Sequence, residues 1–276
     1  MRTIIIGKKS NLSKQLSCSI DNVILISSMS VIDSINELNL STDESVNIIF
    51  NNFQTASKLN SLENPIEYIE RSIMVTAKVL DFIQSNNLSI NKIIYTSSSS
   101  VYGNNIFCKE SDTLTPLSLH SSLKITNEKL IENFSQKNSI NFTIARIFNM
   151  YGGDDNFSII SKIEKAYRGD TSIVLVNSGN AIRDFIHIDD VVSVYQRLLT
   201  TENTPIINIG TGVGISIKNI IDFLSNHNIS IKTQTINSKE IKISTADIGL
   251  LESKYSINFR KVEDFLLEKL SGSNNE

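Results

Sequence analysis

Short runs of isoleucine, valine and leucine alternate along the chain with longer stretches in which apolar residues recur every three or four positions. In the first half the runs are Thr3–Ile6, Val23–Ser27, Asn47–Phe50, Lys92–Thr96 and Phe142–Ile147, each continuous rather than alternating in and out. Continuous runs mark strands buried on both faces, and parallel strands of that kind need covering crossovers between them. The stretches Leu12–Ser17, Ser30–Leu38, Ile66–Gln84 and Leu119–Gln136 supply such crossovers as helices. The gap between the second and third runs is short, which predicts a clipped crossover there. The class that follows is α/β, built on a parallel sheet.

Beyond residue 150 the rhythm changes. It predicts a helix at Ser158–Arg168, a strand at Ile173–Val176, a turn at Asn177–Asn180, a strand at Asp184–Ile188 and a helix at Asp190–Leu199. A strand at Ile206–Ile209, a helix at Ser216–Asn226 and a last helix at Val262–Leu270 follow, and the polar tail 271–276 is expected to be disordered. Only Pro65, Pro116 and Pro205 punctuate the chain, so no Pro-rich linker separates two independent domains.

Composition narrows the classes. The 276 residues carry 26 Lys+Arg against 29 Asp+Glu, a net charge of -3 with no basic stripe, so neither nucleic acid nor an acidic membrane surface is an expected partner. Cys18 and Cys108 form no CxxC pair, which fits a reducing compartment. The amino terminus offers three large apolar residues before Lys8 and Lys9. That falls short of a signal h-region of about 7 residues or a span of about 20, and the expectation is a soluble cytoplasmic protein. His120, His187 and His227 lack metal-ligand spacing, so no metal site is expected, and His187 is expected packed inside a strand.

Six segments carry candidate chemistry. The first run ends in Gly7-Lys-Lys-Ser10-Asn-Leu-Ser13 and enters a helix, as in a turn that offers backbone N–H groups to a pyrophosphate; the other reading is a plain strand-to-helix turn. Tyr95-Thr-Ser-Ser98-Ser99-Ser-Val-Tyr-Gly103 places hydroxyls at the carboxyl end of the fourth run, where open parallel sheets bind ligands. His120 and Lys124 lie four apart on one helix face, at the edge of an apolar stripe of Leu119, Leu123, Leu130 and Phe134; the other reading is a solvated pair. Arg146-x-x-Asn149-x-Tyr-Gly152, Arg183-Asp-Phe-Ile-His-Ile-Asp189-Asp190 and Asn208-Ile-Gly210-Thr-Gly212 hold residues suited to phosphate or hydroxyl recognition, or to structural pairs and caps.

In this order the segments resemble the extended short-chain dehydrogenase/reductases, specifically the NAD-dependent epimerase/dehydratase family of nucleotide-sugar enzymes, across nearly the whole chain. Ser98-Ser-Ser-Val-Tyr-Gly103, Arg146-x-x-Asn149-x-Tyr-Gly152, Arg183-Asp-Phe-Ile-His-x-Asp-Asp190, Asn208-Ile-Gly210 and the late segment Thr245–Ile257 carry the resemblance. It implies a Rossmann-type doubly wound sheet over residues 1–155, also receiving 184–210, with a smaller substrate-binding region from 156–183 and 211–270. It implies NAD or NADP held by Gly7, Ser10, Asn11, Leu12, Ser28 and Lys124. Ser98, His120 and Lys124 would be catalytic, and Ser98, Ser99, Asn149 and Arg183 would bind the nucleotide sugar. The helices Ile66–Gln84 and Leu119–Gln136 would pair two copies into a homodimer.

The departures from the family pattern are specific. Its Tyr-x-x-x-Lys reads His120-x-x-x-Lys124 here, and its Gly-x-x-Gly-x-x-Gly reads Gly7-x-x-Ser10-x-x-Ser13. The ribose-binding acid is absent from Leu25-Ile-Ser-Ser28, which leans towards NADP, and Phe50-Asn51-Asn52-Phe53 stands for His-x-Ala-Ala. A lysine beside a histidine disfavours the imidazolium, so His120 is expected neutral: a base for oxidising an alcohol and a poorer acid for reducing a ketone. Two functions follow from the resemblance. One is an enzyme working at or near C4 of the sugar, as a 4-epimerase or a 4-keto-sugar reductase; the alternative is a catalytically degenerate member that binds the nucleotide sugar or regulates.

Overall fold

A computed structural model describes residues 1–38, 40, 44–52, 65–201 and 203–271. The expected tail and Phe53 fall outside the described residues, apart from residue 271. In chain order the elements are β1 (Arg2–Ile6), α1 (Asn11–Ser19), β2 (Val23–Ile26), α2 (Val31–Asn36), β3 (Val46–Phe50), α3 (Pro65–Ile69), α4 (Val75–Ser85), β4 (Ile90–Ser98), β5 (Phe107–Cys108), α5 (Leu119–Lys137), β6 (Asn141–Ile147), β7 (Asn149–Tyr151), α6 (Ile159–Arg168), β8 (Ile173–Val176), β9 (Ile182–His187), α7 (Ile188–Thr200), β10 (Ile206–Ile209), β11 (Gly214–Ser216), α8 (Ile217–Asn226), β12 (Thr233–Ile236), β13 (Ile243–Ala246), α9 (Gly249–Lys254) and α10 (Val262–Ser271). They fall into two compact units, one of residues 1–101, 114–146 and 192–207, the other of 102–113, 147–191 and 208–276.

The first unit is built on a sheet of order β10-β6-β4-β3-β1-β2. β1 pairs in parallel with both β2 and β3, and β3 in parallel with β4. The chain therefore passes from β2 to the far side of β1 in one step, with the short α2 as the clipped crossover that the gap predicts. The strand order reverses at β1, which puts the loops after β1 and β3 on either side of the switch point where such sheets bind ligands. Successive side chains of β4 face opposite ways. Ile93 and Tyr95 enter the core formed with Ile4, Ile48, Val79, Ile83 and Ile131. Lys92 and Thr96 face α7: Lys92 Nζ donates to Leu198 O (2.6 Å) and Thr201 O (3.4 Å), and Thr96 Oγ1 bonds Tyr195 Oη (2.7 Å). A buried ammonium on the last carbonyls of a helix also complements its dipole. Helices thus cover both faces, giving the expected doubly wound sheet.

The long helix expected over Ile66–Gln84 is interrupted. Between α3 and α4 the residues Glu70–Met74 form a π turn, and Asn52 Nδ2 donates to the carbonyls of Arg71 and Ser72, both at 3.2 Å. The side chain of Asn52 occupies carbonyls that a regular helix would spend on itself.

In the second unit β7 pairs in parallel with β9, and a second sheet runs β11-β9-β13-β5. The pair β8 and β12 is parallel as well. Its core holds Ile160, Ile163, Phe185, Ile220, Leu224, Phe265 and Leu266. The strands β5, β7, β11, β12 and β13 and the helix α9 are too short or too polar to stand out as periodic runs. No helix among the described residues is long and apolar enough to cross a membrane.

Candidate functional site

The loop after β1 turns at Gly7, whose φ of +113° belongs to glycine, and a Cβ there would collide with the carbonyl of Asn51. Ser10 caps α1, its Oγ accepting from Ser13 N at 3.3 Å. Both serines at the missing glycine positions bond to one group: Asn51 Nδ2 donates to Ser10 Oγ and to Ser13 Oγ, each at 2.8 Å. No acidic residue lies in the first turn of α1, and Lys8 and Lys9 are exposed beside it. At the end of β2, Ser27 caps the short turn Ser28–Ser30, with Met29 N on its Oγ at 3.3 Å. Neither Ser27 nor Ser28 is replaced by a carboxylate.

The second cluster lies where α5 crosses the end of β4. The strand is longer than its apolar run and includes Ser97 and Ser98, while Ser99–Tyr102 form a short 3-10 turn. Ser98 Oγ accepts from Ser100 N at 3.2 Å. Lys124 is 6% exposed; its Nζ donates to Thr96 O at 2.7 Å and lies 5.0 Å from the centre of the Tyr95 ring. Burial draws its amine down to about 7, against an upward pull from Glu128. His120, one turn earlier and half-buried, is drawn down to about 4, first by burial and then by the charge on Lys124. The imidazole is therefore neutral at pH 7, as expected from its neighbour.

Of the expected apolar stripe on α5, Leu123 is buried and Leu130 and Phe134 pack against the core, but the docking face is wider and more polar than that stripe. Leu119 is exposed, and the buried residues are Ser121, Leu123, Lys124, Asn127, Glu128, Ile131 and Ser135. These polar groups are buried because each of the central three has a partner. Asn127 Nδ2 donates to Ser72 Oγ (3.1 Å), and Glu128 takes Arg146 through Nε (3.2 Å) and Nη2 (2.8 Å) together with the hydroxyl of Ser97. Lys124 is accordingly no solvated surface lysine. Arg146 is spent on Glu128.

The second unit holds the other predicted residues. Asn149 Nδ2 donates to Asp184 O at 3.1 Å. Arg183 donates from Nη1 to Ile182 O (2.8 Å) and from Nη2 to Ile241 O (2.6 Å), with Glu240 Oε2 3.7 Å from Nη2. The pairing of Arg183 with Asp189 or Asp190, left open by the sequence, is not formed. Asp189 lies by His187 Nδ1 (3.5 Å), and Asp190 accepts from Arg260 N (3.0 Å). β9 keeps Arg183 on one side while those aspartates belong to the start of α7. His187 ends β9, buried against Tyr151 and Phe265 as expected, and a Cβ on Gly152 (φ +95°) would strike its ring.

Two residues of the motifs do work that spacing alone does not reveal. Asp184, fully buried, accepts from Thr211 N and Oγ1, Gly212 N and Ala246 N at 2.7–3.1 Å, and a Cβ on Gly210 would lie 2.7 Å from its Oδ2. Asn208 accepts from Tyr102 Oη at 2.6 Å and donates to Cys108 O at 2.8 Å. The motifs Val-Tyr-Gly, Arg-Asp-Phe and Asn-Ile-Gly are thus partly scaffolding. Glu128 escaped the sequence reading because a Glu on a helix reads as solvated, and Asn51 stood out only as a departure from the family pattern, without its serine partners.

Residues 20–210 match the NAD dependent epimerase/dehydratase family. The chain is 33% identical over 168 residues to Protein CapI of Staphylococcus aureus, taking in 59% of this chain and 49% of CapI. It is 29% identical over 197 residues to a UDP-glucuronate 4-epimerase of Thermodesulfobacterium geofontis, 68% of this chain and 60% of that one. It thus spans less than two thirds of these relatives. Its fold is that of MoeE5, solved in complex with UDP-glucuronic acid and NAD, at a TM-score of 0.83, 19% identity and 99% coverage of both chains. The chain belongs to the NAD-dependent epimerase/dehydratase family.

Proposed function

We propose that this chain modifies a nucleotide-activated sugar at or near C4, with hydride carried by a bound dinucleotide and the proton handled by His120. The observation that carries the reading is the cluster on α5: a buried lysine tied to Thr96 O, a neutral histidine one turn before it, and Ser98 at the end of the neighbouring strand. The residues at the switch point fit a dinucleotide. Gly7 makes the tight turn, the first turn of α1 carries no carboxylate to repel phosphate, and the amide oxygens of Asn51 and Asn52 are buried there without a hydrogen-bond partner. Gly7, Ser10, Asn11, Leu12, Ser28 and Lys124 would hold it. When bound, the nicotinamide supplies the hydride acceptor.

The chain's own groups then divide the work. Ser98, whose oxygen is already fixed by Ser100 N, orients the sugar hydroxyl, and His120 takes the proton as hydride leaves carbon. Lys124 supports the nicotinamide ribose. Ser99, Asn149 and Arg183 would bind the sugar nucleotide. A neutral base suits the oxidative half of a 4-epimerisation better than a purely reductive role. Residues 1–155 with 184–210 form the dinucleotide region, and 156–183 with 211–270 the substrate region.

Serines in place of an acid after β2, with Lys8 and Lys9 exposed near Gly7, favour a 2'-phosphate and so NADP. Two copies pair through α3, α4 and α5 in the cytoplasm, a reading supported by exposed Ile66, Ile69, Met74 and Leu119.

The test is incubation with UDP-glucuronic acid, UDP-glucose and dTDP-, GDP- and CDP-sugars, each with NAD+ or NADP+, followed by NMR of the C4 proton. Turnover that is strongly slowed in Lys124→Ala supports the reading. Binding of nucleotide sugar without turnover for any of them would leave the degenerate binder in its place.

A further inference from the structure

We infer that Asn51 is a positioning residue that replaces the two missing fingerprint glycines, by drawing the Ser10 and Ser13 hydroxyls toward β3 and away from the backbone that a dinucleotide diphosphate approaches. The inference rests on the dinucleotide reading above. Glycines at these positions keep side chains off the phosphate and let helix meet strand closely, so a serine at either is an obstruction unless its hydroxyl is committed elsewhere.

Here both hydroxyls are committed to a single amide. A side-chain NH2 has two hydrogens, and Asn51 places one on Ser10 Oγ and one on Ser13 Oγ, both at 2.8 Å. Ser10 Oγ accepts in addition from Ser13 N, which closes the first turn of α1 on the same group. Asn51 is itself fixed. It is 1% exposed, its backbone N donates to Ile6 O at 2.8 Å, and its carbonyl lies against Gly7, where a Cβ would collide with it. Its Oδ1 is buried without a partner, so the amide is oriented by the serines at the expense of its own oxygen. Asn51, Ser10 and Ser13 thus act as one unit spanning both sides of the switch point.

Calorimetric titration of NAD(P)H, ADP and adenosine into the full chain tests this, using Asn51→Ala, Ser10→Gly/Ser13→Gly and the triple variant. Asn51→Ala is expected to weaken NAD(P)H and ADP about tenfold, since the freed hydroxyls then stand over the diphosphate, and to leave adenosine within about twofold. In the Ser10→Gly/Ser13→Gly background the same replacement is expected to cost less than about threefold, because glycines need no clamp. Equal losses in both backgrounds, equal losses for adenosine and ADP, or no loss at all would overturn the inference. Should Asn51→Ala not fold, the near-isosteric Asn51→Leu removes the same two donors and leaves both serines in place, and a folded Asn51→Leu with unchanged ADP affinity overturns it as well. If the parent chain binds neither NAD(P)H nor ADP, the dinucleotide reading fails first, which is a different result from binding that is indifferent to Asn51.

Discussion

The pH dependence of hydride transfer offers a direct test of His120. Burial and Lys124 together draw its imidazole to about 4, from an ordinary value near 6.5. At pH 7 the base form is therefore complete, while the acid form is about one part in a thousand. A nucleotide sugar oxidised by the bound dinucleotide should react at a rate that rises through pH 4 to 5 and has levelled by about pH 6. Reduction of a keto sugar by the same group should fall about tenfold per unit of pH above the pKa, until another donor takes over. Single-turnover absorbance of the reduced dinucleotide, followed from pH 4 to 9, reads both directions. A further change near pH 7 belongs to Lys124, whose amine is drawn to about 7, and Lys124→Met should remove it. That variant should also raise the His120 limb part of the way toward 6.5, since one of its two causes is gone while burial remains. His120→Tyr should move the oxidative limb upward, as a phenol ordinarily holds its proton to about pH 10. An oxidative limb at 6.5 would mean that the imidazole is solvated, and a profile unchanged in His120→Tyr would mean that His120 is not the base.

Three further outcomes bear on the scaffold. Gly7→Ala should destabilise the chain by at least about 1–3 kcal/mol from its positive φ alone, with more from the collision with Asn51 O, read as a lowered denaturation midpoint. Arg146→Met leaves Glu128 buried without its cation and should cost about 3–5 kcal/mol in urea unfolding, much of it recovered by adding Glu128→Gln. Lys124 holds its proton less tightly folded than unfolded, so between about pH 7 and its ordinary 10.5 the unfolded chain binds more protons and stability rises with pH. Lys124→Met should flatten that rise in thermal melts taken across the window.

The long parallel strands and the flanking helices were legible because buried strands and amphipathic helices leave strong periods. What escaped was local. β5, β7 and β11 are two or three residues long, and β12 is exposed throughout, so none carries a run. Gly7, Ser98, His120 and Lys124 stand out in the sequence through spacing and family resemblance, and the downward pull of Lys124 on His120 through simple electrostatics. On α5, Leu123, Leu130 and Phe134 dock as the stripe predicts, but Lys124, Asn127 and Glu128 beside them are buried by partners distant in sequence, which no helical wheel can show. For the same reason Glu128 could not be named as the partner of Arg146, for which a structural pair was one of the open readings.

The π turn at Glu70–Met74 makes the length of its helix part of the design. One residue turns an α-helix by roughly 100°, so an extra residue rotates everything beyond it by that amount. Before the turn Tyr68 packs against Leu123 with Ile73, whereas after it Val75, Val79 and Ile83 enter the core beneath the sheet. Seven residues make nearly two whole turns of an α-helix, so without the π turn Tyr68 and Val75 would share a face, and the Arg71 and Ser72 carbonyls would no longer be placed for the amide of Asn52. The π turn and the asparagine that follows β3 are therefore a matched pair. Neither is neutral without the other.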